Sequence, residues 1–389
     1  MNQFSDSFCA MVYLIGCALN HITPDRQFLE TVSFDALFLE CEHNAASALV
    51  AYALRDYLKD DSLFTPEQAA KWNSVYKNAF RRMILLQGER EKLRAFLEEN
   101  NIWYMFLKGT QMMQYYPSPE LREMMDTDLL VDEAKTGIIH DHMVQNGYEV
   151  HEYRQSKHDC YRKPPVYEVE FHRSLFGTKH PRHAAYFKDI KSRLLPVKEG
   201  SSEYRFTDDD FYIYLIAHSI KHLGWRGLSI KAFADVYLYL RAKTLNWDYI
   251  TPELEKLQIS RQEAQLRSLT MKLFSPGSLQ IMPELTDAER AMLTIVSRAG
   301  DYGDMEGDIR SKIRTDETID FENRRTTGTE KRKYVRSRIF LSKEQVQRWY
   351  PYFAEHKGAR PFLIFYRVGQ ALTTKRKKVA EEIKTVSKS

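Results

Sequence analysis

The sequence predicts an α+β protein, a small mixed β-sheet carried between an N-terminal and a C-terminal helical region. Three observations predict it. Apolar residues recur at helical spacing through the first hundred positions, and short apolar runs set off by Gly and Pro occupy residues 101–200. Helical spacing then returns from 201 onward. The chain of 389 residues therefore divides into 1–100, 101–200 and 201–389, the last with a charged insertion near 301–333 and a basic tail.

In order along the chain, Phe8 to Leu19 reads as a buried helix. It is too short to span a bilayer, and Asp6 stands where a signal segment carries Lys or Arg. Leu37, Phe38, Cys41, Ala45, Ala48, Leu49 and Tyr52 form one apolar helical face behind an N-cap at Ser33. Trp72, Tyr76, Ala79, Met83, Leu86, Leu93 and Leu97 form a second, interrupted by Gly88 and stopped at Asn100-Asn101. Ile102 to Leu107 is a strand closed by Lys108-Gly109-Thr110, and Gln111 to Tyr116 makes a short helix before Pro117. Thr127 to Val131 is the next strand, and Asp132 caps a helix that runs to Asn146 and stops at Gly147. Tyr148 to Tyr153 and, after a turn at Pro164-Pro165, Val166 to His172 complete the sheet. That order predicts helices on one face of it. Beyond the sheet, Phe211, Leu215 and His218 share one helical stripe, and Ile213, Ile216 and Ile220 another, so this helix is buried all round. Leu228 to Leu240 and Phe362 to Ala371 are the later helices, with the Gly- and Thr-rich charged stretch Asp301 to Lys333 between them.

Composition narrows the function classes. With 57 Lys+Arg against 53 Asp+Glu, the net charge of +4 is too small to steer nucleic acid through the field of the whole protein. Cys9, Cys17, Cys41 and Cys160 lack metal-cluster spacing, which predicts reduced thiols, no membrane role and a cytoplasmic location.

The chemistry concentrates at Asp126 and Asp128. Two residues apart at the head of a strand, they project from the same face. Carboxylates that close repel unless a cation intervenes, and magnesium takes hard oxygen ligands that it shares with phosphates. Lys108-Gly109-Thr110 upstream offers backbone approach and positive charge to a phosphate. Glu168 and Glu170 lie on one face of the last strand, and Glu170 is the expected third ligand of a site for two magnesium ions. Arg122 offers a planar fork either to a triphosphate or to Glu120 or Glu123. His172 either orients Glu170, donates to phosphate or ends the strand.

The stretch FLKGTQMMQYYPSPELREMMDTDLLV, then NGYEV, then VEFHRSL, resembles the uncharacterised bacterial nucleotidyltransferases of the DNA polymerase β-like superfamily. The resemblance spans about residues 100–175 and weakens on either side. It implies a small mixed sheet with a DxD pair and a third acid, and metal-dependent transfer of a nucleotidyl group. Asp126, Asp128 and Glu170 would be catalytic, with Lys108, Gly109, Thr110, Arg122 and His172 on the nucleotide. Two departures stand out: Thr110 replaces a second Gly or a Ser, and Glu replaces Asp as third acid.

Other signals are weaker. His218 and His222 have the spacing of a zinc helix, but Ser219 stands where that motif needs Glu. Asp235 either reaches the site or pairs with Lys231. Gly303 and Met305 occupy ligand positions that a calcium loop needs. Lys331, Arg332, Lys333, Arg336 and Arg338, then Lys375 to Lys378, read as a solvated face. The expected function is transfer from a nucleoside triphosphate to an acceptor hydroxyl. A small molecule is the first expectation for the acceptor, with RNA or protein as others. The rival expectations are a non-catalytic nucleotide-binding or interaction protein, and an RNA-directed enzyme using the basic end.

Overall fold

The first helix, α1 (Asp6–Asn20), starts where the Ser5 side chain accepts a hydrogen bond from the Phe8 amide, and it is buried on almost every side. The computed structural model describes residues 4–373 except 166, 224–227, 301–327 and 342, together with 376, 379, 383 and 386. Next come α2 (Arg26–Leu29), α3 (Phe34–His43) and α4 (Ser47–Leu54). The face expected to be continuous from Leu37 to Tyr52 is thus two helices. Asn44 turns its amide back onto the Glu40 carbonyl, and Ala45 takes a φ of 46°. Ser33 holds the N-cap position of α3 without a side-chain bond. The Ala48 amide at the start of α4 instead donates to Glu123 Oε2 at 3.0 Å, from a distant loop.

The long helix α5 (Pro66–Glu99) opens with a capping box: Thr65 and Gln68 each bond the other's backbone amide, and Pro66 sits where no N–H is needed. Gly88 does not interrupt it. Asn101, with a φ of 50°, ends it near the expected place.

The sheet has five strands in the order β1-β2-β5-β4-β3. They are β1 (Tyr104–Phe106), β2 (Thr127–Val131), β3 (Glu149–Glu152), β4 (His158–Lys163) and β5 (Tyr167–His172). Only β2 and β5 run parallel. β4 was not expected, because His-Asp-Cys-Tyr-Arg-Lys lacks the apolar alternation that announces a strand. It holds its place by full antiparallel pairing with β5. Val166, the expected first residue of β5, lies outside the described residues.

Two helices lie between the strands, α6 (Lys108–Met112) and α7 (Thr136–Gln145). Asp132 caps the 3₁₀ turn that leads into α7, and Gly147, with a φ of 78°, follows it. After the sheet come α8 (Pro181–Tyr186), the ribbon β6 (Leu195–Pro196) and β7 (Tyr204–Arg205), then α9 (Asp208–Leu223), α10 (Ile230–Ala242), α11 (Trp247–Leu257), α12 (Ser260–Phe274) and α13 (Asp287–Ala299).

Helices cover both faces of the sheet, not one. Leu129, Val131, Val169 and Phe171 pack against Leu93 and Leu97 of α5 and Ile139 and Met143 of α7. Met105 and Leu130 join the larger cluster formed by α1, α3, α4, α9, α10 and α12. The helices before and after the sheet therefore share one core. The alternation of β2 and β5 sends Leu129 and Val131 to one side, leaving Asp128 beside Leu130 on the other.

Farther on, helices run at Gly328–Ile339, Lys343–Trp349, Pro351–Glu355 and Leu363–Leu372. Arg332, Lys333, Arg336 and Arg338 are exposed. The expected charged insertion, up to residue 327, and Lys375, Lys377 and Lys378 of the tail lie outside the described residues. All four cysteines are buried and unpaired. No helix among the described residues is long and apolar enough to cross a membrane. Replacing Thr65 by Ala removes half of the capping box, and a loss of about 1 kcal/mol in urea unfolding is expected.

Candidate active site

The parallel register places Asp128 opposite Glu170 and Thr127 opposite Val169. Residues opposite one another in a parallel pair face the same side, so both acids point toward α9 and α10. Asp126 precedes β2 and reaches the same spot. Ligand oxygens of Asp126, Asp128 and Glu170 all lie within 4.8 Å of one another. Glu168, two residues earlier on β5, is held instead by Arg162 at 2.8 and 2.9 Å.

Asp128 is almost wholly buried and both of its oxygens are engaged. Lys108 Nζ lies 2.7 Å from Oδ2, and His172 Nε2 donates to Oδ1 at 2.9 Å. His172 also stands 3.3 Å from Glu170 Oε2. The Lys157 ammonium donates to His172 Nδ1 at 3.0 Å, which leaves the ring hydrogen on Nε2, aimed at Asp128. His172 thus orients Asp128 as well as lying beside Glu170.

The acids titrate apart. Burial, then the Asp128 charge, pushes Asp126 up to about 6 from its ordinary 3.8. A bound cation would relieve this opposition to its ionisation. Burial also opposes charge on Asp128, but Lys108 and His172 outweigh it and hold its carboxyl well below the usual range. Burial opposes charge on Glu170 too, and the bond from His172 keeps its pKa low. Lys108 stays charged despite burial because Asp128 and Asp126 face it.

Asp126 and Asp128, though not Glu170, line a cleft of about 250 Å³ together with Lys108, Gly109, Met124, His218, His222 and Lys231, among others. Lys108, Gly109 and Thr110 lie in the first turn of α6, where the Thr110 amide donates to the Leu107 carbonyl at 3.2 Å. A Cβ on Gly109 would stand 3.0 Å from Met124 Cε, so glycine lets that wall close in. Thr110 Oγ1 is buried with no hydrogen-bond partner among the described residues. His218 Nδ1 is likewise buried and unpartnered, and burial, then Lys221, holds its imidazole well below the ordinary histidine range.

Arg122 lines the same cleft, and its Nη1 donates to the Glu123 carbonyl at 3.2 Å. Nε and Nη2 each donate to Asp235 at 2.8 Å, and Tyr116 donates to the same carboxylate. Asp235 therefore pairs with Arg122, while Lys231 donates to the Glu123 carbonyl at 3.2 Å.

Sequence reasoning missed Lys157 and Lys221. Lys157 sits in a polar loop that carries no signal. Lys221 did carry one, a lysine inside a helix read as buried all round, and it is 7 % exposed. His218 and His222 were noticed for their spacing, and both line the cleft.

The Arg122–Asp235 pair is a brace between the segment before β2 and α10. Arg122→Ala is expected to cost about 3–5 kcal/mol in urea unfolding, the penalty of leaving a buried carboxylate alone. Unchanged stability with weakened triphosphate binding would make Arg122 a ligand contact instead.

No curated protein matches the chain. A family model described as uncharacterised nucleotidyltransferase matches residues 31–275, which include the whole sheet, the three acids and the helices that close the cleft. The chain belongs to that nucleotidyltransferase family.

Proposed function

We propose that this protein transfers a nucleoside monophosphate from a nucleoside triphosphate to an acceptor hydroxyl and releases pyrophosphate. The observation that carries this reading is the convergence of Asp126, Asp128 and Glu170, the two aspartates sharing a cleft with Lys108 and Gly109. The donor set fits magnesium, being three carboxylates of which one, Asp126, is pushed toward neutrality by burial and then by the charge of Asp128. Asp126 and Asp128 would hold two ions and Glu170 would complete the acceptor side. Magnesium, when bound, supplies charge stabilisation to the attacking and leaving oxygens.

The chain's own groups do the rest. Lys108 neutralises Asp128, and its ammonium would turn to a phosphate oxygen when the triphosphate binds. Thr110 Oγ1 and the amides of Lys108 and Gly109 supply donors to the same group. His172 keeps Asp128 in one orientation, with Lys157 fixing its tautomer. The cleft is smaller than the roughly 300–1,000 Å³ that encloses a whole drug-sized ligand. It takes the polyphosphate end, and the sugar and base lie outside it.

Calorimetric titration of a nucleoside triphosphate with and without magnesium tests this. Wild type is expected to bind only with magnesium, and Asp126→Asn/Asp128→Asn to lose at least a hundredfold in affinity while keeping its melting temperature or raising it. Metal-independent binding, or equal binding by the variant, would overturn the reading. The affinity for magnesium is expected to fall as pH drops through about 6, because Asp126 must give up its proton to become a ligand.

A further inference from the structure

Lys221 lies on α9, buried, with its ammonium 5.6 Å from the centre of the Phe176 ring. It has neither a hydrogen bond nor an ion pair among the described residues. The charges of Lys157 and Lys108 oppose its own, and those of Asp128 and Glu170 favour it. Lys157 immediately precedes β4 and touches His172. Neither Lys157 nor Lys221 lines the cleft between Gly109 and α10. Lys157 is half-buried, and its Cδ lies 3.7 Å from where a Cβ on Gly177 would stand, next to the Phe176 ring that Lys221 covers. Two ammonium groups brought into one partly desolvated spot are costly, because burial and like charge both disfavour them. Both pKa values move that way, that of Lys157 down to about 8. His180 and His183, at the start of α8, lie close to Lys221 and add no negative charge.

The strand order says which reactant this pair would meet. Gly109 follows β1, Asp128 sits on β2 with Asp126 just before it, Glu170 lies on β5 and Lys157 just before β4, and these strands are consecutive in the sheet. In an in-line displacement the attacking and leaving oxygens occupy opposite sides of the reacting phosphorus. With the polyphosphate on the Gly109 side, the acceptor enters over Glu170, and the next position outward is the lysine pair. We propose that Lys157 and Lys221 form a subsite for a phosphate monoester carried by the acceptor, so that the acceptor hydroxyl belongs to a phosphorylated small molecule. This rests on the nucleotidyl-transfer reading for the direction of entry.

Inorganic phosphate, titrated calorimetrically into the full chain without magnesium, is the probe. Wild type is expected to bind it, and Lys221→Met to lose at least tenfold in affinity, with magnesium–triphosphate affinity changed less than threefold. Lys221→Met keeps the buried stem and removes an unpaired charge, so its melting temperature is expected to rise. No phosphate binding by wild type, or equal binding by Lys221→Met, overturns the proposal. A parallel loss of triphosphate affinity overturns it as well, by assigning the pair to the leaving group. Asp126→Asn/Asp128→Asn is expected to keep phosphate binding. If wild type binds phosphate through Lys221 but no triphosphate, nucleotidyl transfer falls and the acceptor assignment falls with it, leaving only an anion site.

Discussion

The pairing of β2 with β5 is the constraint on which the site depends. It is the one parallel contact in the sheet, and its register sets Asp128 opposite Glu170. A slip of one residue would send one acid into the apolar layer under α5 and α7 and bring Phe171 or Val169 into the cleft. The apolar pattern of the two strands prevents that slip. Leu129 and Val131 on β2, and Val169 and Phe171 on β5, are buried on the far face, so the burial that stabilises the sheet also fixes where the acids point.

Like-charge repulsion at this spot is managed by residues from separate parts of the chain. Lys108 comes from the first turn of α6, His172 from the end of β5 and Lys157 from the loop before β4. The brace between Arg122 and Asp235 ties α10 to the loop that carries the acids, and Glu123 of that loop caps α4. Helices from both ends of the sequence are therefore fastened to the same short segment, residues 116–128.

Much of this was legible in the sequence, for identifiable reasons. Strands with strong apolar alternation, such as Thr127–Val131, declared themselves, and so did helices with clear stops, such as α5 at Asn100-Asn101. Asp126, Asp128 and Glu170 were readable because the strand period alone puts them on common faces. The structure brings all three together. What stayed hidden depends on contacts between distant residues. β4 is polar and exists because β5 supplies its hydrogen bonds, and the break between α3 and α4 is capped by an acid 75 positions away. The partner of Arg122 is 113 residues along the chain, while two nearer glutamates were equally reasonable by spacing. No period or motif encodes such pairings.

The ion pair between Lys108 and Asp128 carries one more consequence. The lysine satisfies the oxygen that an incoming cation needs, so the carboxylate is already neutralised and a metal alone must compete with it. On the proposed reading, a polyphosphate that draws Lys108 away frees that oxygen, and each ligand then strengthens the binding of the other by the same factor. Order of addition becomes a property of one side chain with two possible counter-ions, and idle occupancy by metal is discouraged without any moving domain.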